Sequence, residues 1–250
     1  MLARLSSPNI TMCSEEMDRF FRFSDYDIWA YLSAGMLTIA AWDFSFGTSW
    51  VLKADWSPAD GTVIVFAAYI VGQISATPSS WLLERLLVAR VLRSPSVNLF
   101  ADSQTHFRRF LQRTVLGDYY SPLDVDLKRR IIERAGPDAA PGEPLFWRAY
   151  PIAKRDPTAF PRMGIFLNQY GFCRNIAFVA ILSATFDLVA IYGVTPAAAA
   201  TPTADRLWSW AVVSIICGLL MFHRFLKFYR LYAVEVFVAY VESGARSDAD

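Results

Sequence analysis

The stretch TVIVFAAYIVGQISATPSSWLL, from Thr62 to Leu83, runs for 22 residues without an Asp, Glu, Lys or Arg. A helix of about 20 residues crosses the hydrocarbon core of a bilayer, which is about 30 Å thick. An amphipathic helix in a soluble core would show a polar face recurring every three to four residues, and this stretch shows none. The stretch therefore predicts a membrane-spanning helix.

Three further stretches have a similar length and character: Ile28 to Leu52, Asn175 to Thr203 and Leu207 to His223. The last is free of Asp, Glu, Lys and Arg, while the first and second carry one carboxylate each, Asp43 and Asp187. No strand-like alternation of apolar and polar residues occurs. The sequence therefore predicts an all-α membrane protein with four transmembrane helices and a cytoplasmic helical subdomain between the second and third.

The basic residues predict an orientation. The two terminal segments and the long middle segment hold 22 of the 24 Lys and Arg residues, and the two short loops hold one each. Because basic residues accumulate on the cytoplasmic side, we expect a bacterial inner-membrane protein with both termini in the cytoplasm. Charges are scattered through residues 1–25, so no cleavable signal peptide is expected, and Met1, Met12 and Met17 are all candidate starts.

The predicted spans divide the chain into five segments. These are a cytoplasmic N-terminal segment (1–25), the first two transmembrane helices (26–83), the cytoplasmic helical subdomain (84–174), the last two transmembrane helices (175–223) and a cytoplasmic helical extension with its tail (224–250).

Turn signals predict the helices of the middle segment. The second span should continue to Ser94-Pro95, and two amphipathic helices should cover 103–116 and 124–135. A loop rich in Pro and Gly should follow at 137–144, and the third long helix should begin near Pro161.

The fourth span should also continue beyond the membrane. No breaker interrupts it up to Ser243, and an apolar and aromatic stripe recurs along its second half. We expect this stripe to pack against the 84–174 segment, because an apolar face in water needs a partner.

Three polar residues lie inside the predicted spans: Asp43, Gln73 and Asp187. A carboxylate near the bilayer centre costs about 2.5–3.5 kcal/mol, so both aspartates should face the bundle interior or water. One interpretation is a path for protons or cations. The other is structural, with both carboxylates hydrogen-bonded to Trp, Tyr or Ser side chains of other spans.

Small residues recur along the second span at Ala68, Gly72, Ala76 and Ser79. Such spacing lets two helices approach closely in a membrane. We expect this face to pack against another helix and, through Gly72, to mediate self-association of the chain. Pro78 should kink the same helix.

Charged residues cluster where the second and fourth spans should leave the membrane. Glu84, Arg85, His223 and Arg224 fall at matching depth, and Glu84 is a candidate partner for Arg224. The many arginines of the middle segment suit anionic lipid head groups, and no nucleic-acid partner is expected.

Motifs of known enzyme classes are missing from the sequence. It contains no GxSxG, HExxH, Walker A or GxGxxG motif and no Cys/His cluster. The two intramembrane aspartates lack the GxGD context of aspartyl intramembrane proteases. We therefore expect no enzyme, no catalytic residue, no metal and no cofactor.

Three segments carry a resemblance: FSDYDIWAYLSAG (23–35), AYIVGQ (68–73) and FLKFYRLYAVEVF (225–237). They look like segments of a family of uncharacterised bacterial four-span inner-membrane proteins, and the resemblance covers most of the chain. Relatives in that family carry His where this chain has Gln73, so the resemblance carries no metal or proton role over to this position. The layout is also similar to that of membrane components of bacterial anti-phage systems, which does not by itself establish function.

The leading hypothesis is a non-enzymatic scaffold or sensor-effector that self-associates and couples an unknown cytoplasmic protein partner to the membrane. Short loops on one side, a sizeable segment on the other and the missing catalytic motifs favour it. The alternative is an ion channel or ion-coupled transporter that uses Asp43 and Asp187.

Overall fold

The computed structural model describes residues 25–51, 55–101, 106–114, 116–137, 139–193 and 202–247, and every regular element in these ranges is a helix. The α-helices are α1 (Asp25–Phe46), α2 (Pro58–Ser79), α3 (Pro95–Asn98), α4 (His106–Thr114), α5 (Val125–Ala135), α6 (Glu143–Ala153), α7 (Ala159–Tyr192) and α8 (Ala204–Ser247). A π-helical run, Ser80–Leu92, continues α2 and is called the α2 extension.

Three helices are long and apolar enough to cross a membrane: Pro58–Asn98, Ala159–Tyr192 and Ala204–Gly244. They match the second, third and fourth predicted spans, and the all-helical prediction is confirmed for the described residues. α1 occupies the place of the first predicted span, but its 22 residues include three Asp, two Trp and two Tyr. Because these residues make α1 less apolar, a fourth span stays a prediction.

The long helices lie side by side. The most extensive contact joins α7 to α8, and α1 packs against both α2 and α7. α2 also touches α7, so α1, α2 and α7 form a three-helix group to which α8 attaches along α7. We call the end where α1 and α7 finish, and α2 and α8 begin, the loop end of the bundle.

Local sequence explains where α2 begins. The Ser57 hydroxyl accepts a hydrogen bond from the Asp60 N–H at 3.2 Å, and the Asp60 carboxylate accepts one from the Ser57 N–H at 3.1 Å. This reciprocal capping satisfies two backbone donors that the first turn of a helix leaves free. Pro58 stands in that first turn, where its missing N–H costs nothing.

The α2 extension begins two residues after Pro78. Proline cannot donate a backbone hydrogen bond, so the regular α-helical pattern is already interrupted there, and π turns are one way a helix accommodates such an irregularity. The extension ends at Leu92, followed by Arg93 with a φ of 66°. The predicted continuation of the helix to Ser94-Pro95 is therefore confirmed.

The middle segment contains two helices that were not predicted, the short α3 and α6. α4 and α5 lie within the two predicted amphipathic ranges, and Asp124 caps α5 by accepting from the Asp126 and Leu127 N–H groups. α6 was not predicted, because Pro144 and Pro151 resemble helix breakers. Pro144 stands in the first turn, which tolerates proline, and Pro151 stands two residues from the end.

The third predicted span ends later in the sequence than the helix that it predicts. α7 begins at Ala159, close to the predicted Pro161, and ends at Tyr192 rather than at Thr203. Gly193 follows, and its N–H donates to the Val189 carbonyl at 2.6 Å. Residues 194–201 of the predicted span lie outside the described residues.

The second half of α8 packs against α3, α5, α6 and the start of α7. This confirms the expected partners of its apolar stripe and forms what we call the basal cluster, at the end opposite the loop end. Its buried members are Leu99, Phe100, Leu123, Ile131, Ala135, Leu145, Ala149, Ala153, Ala159, Met163, Tyr232, Ala233, Val236, Phe237, Ala239, Tyr240 and Val241.

A second buried cluster joins the α2 extension to α7 and α8, and we call it the tyrosine cluster. Its buried members are Val88, Leu92, Leu116, Tyr119, Tyr120, Cys173, Phe225 and Leu226. It lies between the basal cluster and the apolar part of the bundle.

Candidate functional site

Asp43 lies in the last turn of α1 and is 1% exposed. Its carboxylate accepts hydrogen bonds from the Thr48 hydroxyl at 2.5 Å and from the Trp50 and Val51 N–H groups at 2.8 and 2.9 Å. Gly47, with a φ of 62°, reverses the chain between them. These three hydrogen bonds tie the carboxylate to the turn that follows α1.

Asp187 joins two helices. It is 1% exposed on α7, and its Oδ1 accepts a hydrogen bond of 2.7 Å from the Ser45 hydroxyl on α1. Its Oδ2 is buried and has no hydrogen-bond partner among the described residues. Because Ser45 stands two residues after Asp43, the two carboxyl groups lie at the same end of α1.

Aromatic rings surround this end of the bundle. Trp42 lies edge-on to Phe186 of α7 with ring centroids 5.3 Å apart, and Phe44 contacts Trp210 of α8 at 5.5 Å. These contacts join α1 to both α7 and α8 close in sequence to the buried carboxyl groups.

Two glycines bring the backbones of α1 and α2 into contact. A Cβ atom on Gly35 would overlap the carbonyl group of Ala68, and one on Gly72 would overlap the carbonyl group of Tyr31. The buried face of α2 consists of Ala68, Gly72, Ser75 and Ser79, while the predicted Ala76 is only partly buried.

This contact changes the predicted role of the small-residue face. The face packs against another helix, as small residues in membranes do, but that helix is α1 of the same chain. A second copy could contact Gly72 only by displacing α1, so a role of Gly72 in self-association stays a prediction that this packing does not favour.

Gln73 is exposed, unlike both aspartates. Its side chain is exposed, and its Nε2 donates a hydrogen bond of 3.0 Å to the hydroxyl of Tyr69, one turn earlier on α2. Asp43 and Asp187 are buried at the loop end, so the structure does not bring the three predicted polar residues into one site.

A partly buried ion pair joins the α2 extension to α7. The Arg174 Nη1 lies 2.6 Å from the Glu84 Oε1, and the two side chains are 13% and 23% exposed. The Ser80 hydroxyl donates to the other oxygen of Glu84 at 2.9 Å, and Arg174 also donates to the Asn175 side chain. The partner of Glu84 is therefore Arg174 and not Arg224, as depth matching had suggested.

The other members of the predicted charge cluster do not join this pair. Arg85, His223 and Arg224 are exposed, and the Arg224 guanidinium lies over the Phe228 ring at 5.6 Å from its centroid. Arg174 was missed because it stands one residue before the predicted third span. Its position next to that boundary is the signal that could have identified it.

The tyrosine cluster closes the end of the α2 extension. The Tyr119 hydroxyl donates to the Arg93 carbonyl at 2.6 Å, and the Tyr120 hydroxyl donates to the Leu92 carbonyl at 3.3 Å. These bonds satisfy acceptors that the end of a helix leaves free. Burial raises the pKa of Tyr119 well above its usual value, so the phenol stays a hydrogen-bond donor at physiological pH.

Ion pairs and cation–π contacts tie α8 to the basal helices. The Arg162 Nε of α7 lies 2.8 Å from the Glu235 Oε1 of α8. The Arg134 guanidinium lies 4.4 Å from the centre of the Tyr240 ring and donates to the Ser243 hydroxyl at 3.0 Å. The basal cluster is therefore fixed by polar contacts at its edge as well as by its apolar interior.

Nothing in the described ranges forms a recognisable cofactor or metal site. No three His, Cys, Asp or Glu side chains in those ranges are grouped as metal ligands would be. A groove of about 480 Å³ lies between α1 and α2 near the loop end and is lined mainly by apolar residues. Comparison of the chain with protein families, curated proteins and solved structures finds no match.

Proposed function

We propose that this chain is a four-span protein of the bacterial inner membrane, with α1 as its first span and both termini in the cytoplasm. In this arrangement α3 to α6 and the second half of α8 form a cytoplasmic subdomain. The placement of 22 of the 24 basic residues at that side of the chain supports it.

Within that arrangement the protein acts as a non-enzymatic, self-associating scaffold or sensor-effector that couples a cytoplasmic protein partner to the membrane. The observation that carries this proposal is the continuity of α7 and α8. These helices have 34 and 44 residues and run without interruption from the loop end into the basal cluster. Helices of about 51 and 66 Å connect the two ends rigidly. A role in anti-phage defence rests only on the similarity of layout.

An ion path is the second candidate, and one observation favours it. Asp187 keeps a buried carboxylate oxygen without a hydrogen-bond partner among the described residues, which is unusual for a structural aspartate. Asp43 contributes less to this alternative, because the Thr48 hydroxyl and the Trp50 and Val51 amides already bind its carboxylate.

Two measurements on the full chain separate the candidates. A photo-crosslinking residue at Trp147, which is 61% exposed on α6, should capture a discrete cytoplasmic protein in cells. The same residue at Trp208, 45% exposed at the loop end, is the matched control and should not capture it.

Purified protein in liposomes should give no ion flux above that of empty vesicles. If the wild-type protein does give ion flux and the Asp187→Asn variant abolishes it, the result supports the ion path over the scaffold. The absence of any position-dependent adduct at Trp147 would also count against the scaffold.

A further inference from the structure

The side of α2 opposite its packed face carries a regular row of exposed residues. Successive residues of a helix are about 100° apart, so this side lies directly away from Ala68, Gly72, Ser75 and Ser79. Five of its exposed residues recur at intervals of three and four residues, with the exposed Ile74 beside them, and we call these five the Gln73 face: Val63, Phe66, Ile70, Gln73 and Thr77.

Gln73 is the most polar member of this face. A carboxamide has two N–H donors and an oxygen with two lone pairs. Gln73 uses one N–H, toward the Tyr69 hydroxyl, and none of the described residues donates to its oxygen. In water this would need no explanation, because solvent would complete the bonds.

The position of Gln73 along α2 makes its free groups significant. It stands near the centre of the charge-free stretch from Thr62 to Leu83, about 15 Å from either end. Lipid chains at that depth offer no hydrogen bonds, so a polar side chain there gains from a protein partner.

We propose that a second copy of this chain docks on the Gln73 face, with the two Gln73 carboxamides hydrogen-bonded to each other across a two-fold axis. A two-fold axis places a residue opposite its own copy, and a carboxamide is complementary to itself because it both donates and accepts. The alternating three- and four-residue spacing is that of a left-handed helix pair.

This inference rests on the proposed membrane placement and identifies the interface of the proposed self-association. Other faces are less suited to it. α1 covers the small-residue face of α2, and the exposed stretch 212–220 of α8 contains no carboxamide or charged side chain. The Gln73 face combines an exposed apolar surface with a polar group that a second copy would satisfy.

The first test measures association of the full chain in lipid bilayers over a range of protein-to-lipid ratios. Gln73→Leu should weaken association about 5- to 30-fold, since interhelical polar contacts in membranes contribute about 1–2 kcal/mol. Gln73→Asn should retain most of it. Val65→Leu, at an exposed position of α2 outside the Gln73 face, is the matched control and should leave association unchanged.

Membrane insertion of each variant is measured separately by resistance to carbonate extraction. If the wild-type protein is extracted by carbonate, the proposed membrane placement is contradicted. If the wild-type protein is inserted but monomeric, only the Gln73 interface is contradicted. Undiminished association of Gln73→Leu would also overturn the interface.

Cysteine cross-linking tests the geometry with Gln73 intact. In a background with both Cys13→Ser and Cys217→Ser, Ile70→Cys and Thr77→Cys should form disulfide-linked dimers, and Val65→Cys should form far fewer. Equal cross-linking at Val65 would overturn the proposed face. An adduct whose mass is not a multiple of 28.2 kDa would assign the face to a different protein.

Discussion

Both halves of α8 carry many apolar side chains, but their surroundings differ. Between Ala204 and His223 only Leu207, Ala211 and Gly218 are buried, Met221 and Phe222 are partly buried, and the remaining apolar side chains are exposed. From Phe225 to Val241 most apolar side chains are buried in the tyrosine and basal clusters. The exposed large side chains of the first half are Trp208, Trp210, Val212, Val213, Ile215, Ile216, Leu219 and Leu220.

This difference in burial indicates the environment that suits each half of α8, lipid or water. Soluble monomers rarely expose a continuous apolar surface of this kind, so the first half is suited to lipid. The second half buries its stripe against other parts of the chain and does not need lipid. A hydrophobic run by itself does not distinguish the two cases, whereas the presence of partner helices does.

The largest effect should come from the basal half of α8. Phe237 is fully buried, with its ring 5.1 Å from that of Phe100 and 6.0 Å from that of Phe146. Phe237→Ala should lower the free energy of unfolding by about 3–5 kcal/mol, because the cavity that it leaves cannot collapse completely. Thermal unfolding of the detergent-solubilised protein measures this loss.

Leu219→Ala is the control in the first half of α8. Leu219 is 64% exposed, so its truncation should change stability by less than about 1 kcal/mol. If Phe237→Ala and Leu219→Ala lowered the free energy of unfolding equally, the two halves of α8 would not differ in how far they are packed.

A smaller loss is expected from the backbone contact of α1 with α2. Gly72→Ala should destabilise the protein by about 3 kcal/mol, because its methyl group would overlap the Tyr31 carbonyl. Gly61→Ala is the control, since a Cβ at Gly61 meets nothing within 4 Å. If Gly72→Ala instead reduced oligomer mass while leaving stability intact, this face would be an interface between copies.

The ion pair between Glu84 and Arg174 should have a moderate effect. Glu84→Gln should cost about 2 kcal/mol, since both partners are mostly buried and Arg174 would lose its counter-charge. Arg129→Gln breaks an exposed pair with Asp126 and should cost no more than about 0.5 kcal/mol. A double-mutant cycle of Glu84 and Arg174 that gave no coupling energy would contradict the pairing.

The smallest effects concern the carboxyl groups of the loop end. Asp43→Asn should cost about 1 kcal/mol, because a neutral amide accepts more weakly from the Trp50 and Val51 N–H groups. Asp187→Asn should cost less, since it keeps the Ser45 hydrogen bond and removes a buried charge. Unfolding measurements compare the two variants. A larger loss of stability from Asp187→Asn than from Asp43→Asn would mean that the Asp187 carboxylate contributes more to stability than the Asp43 carboxylate.

Helix positions were largely predictable from the sequence, because the signals that start and stop a helix are local. The Asp124 cap of α5 and the continuation of α8 from the fourth predicted span to Ser243 illustrate this. α6 shows the limit of such signals, since Pro144 and Pro151 are tolerated near its two ends.

Side-chain partners were less predictable, because they depend on how each helix is rotated and shifted against its neighbours. Glu84 lies at the depth of Arg224 but faces Arg174. Gly72 could pack on any helix, and the structure pairs it with Tyr31 of α1. For Asp43 nothing in the sequence indicated the three local donors, which follow it by five to eight residues and depend on the turn after α1.

The most direct test of the two environments along α8 is a scan with spin labels in lipid bilayers. Labels replacing the exposed residues Ile216, Leu219 and Leu220 should be accessible to oxygen but not to a water-soluble nickel complex, while a label at the exposed Lys227 should be accessible to the complex. This pattern would place the first half of α8 in lipid and its second half in water. High accessibility of Ile216, Leu219 and Leu220 to the nickel complex would contradict the membrane placement on which the account depends.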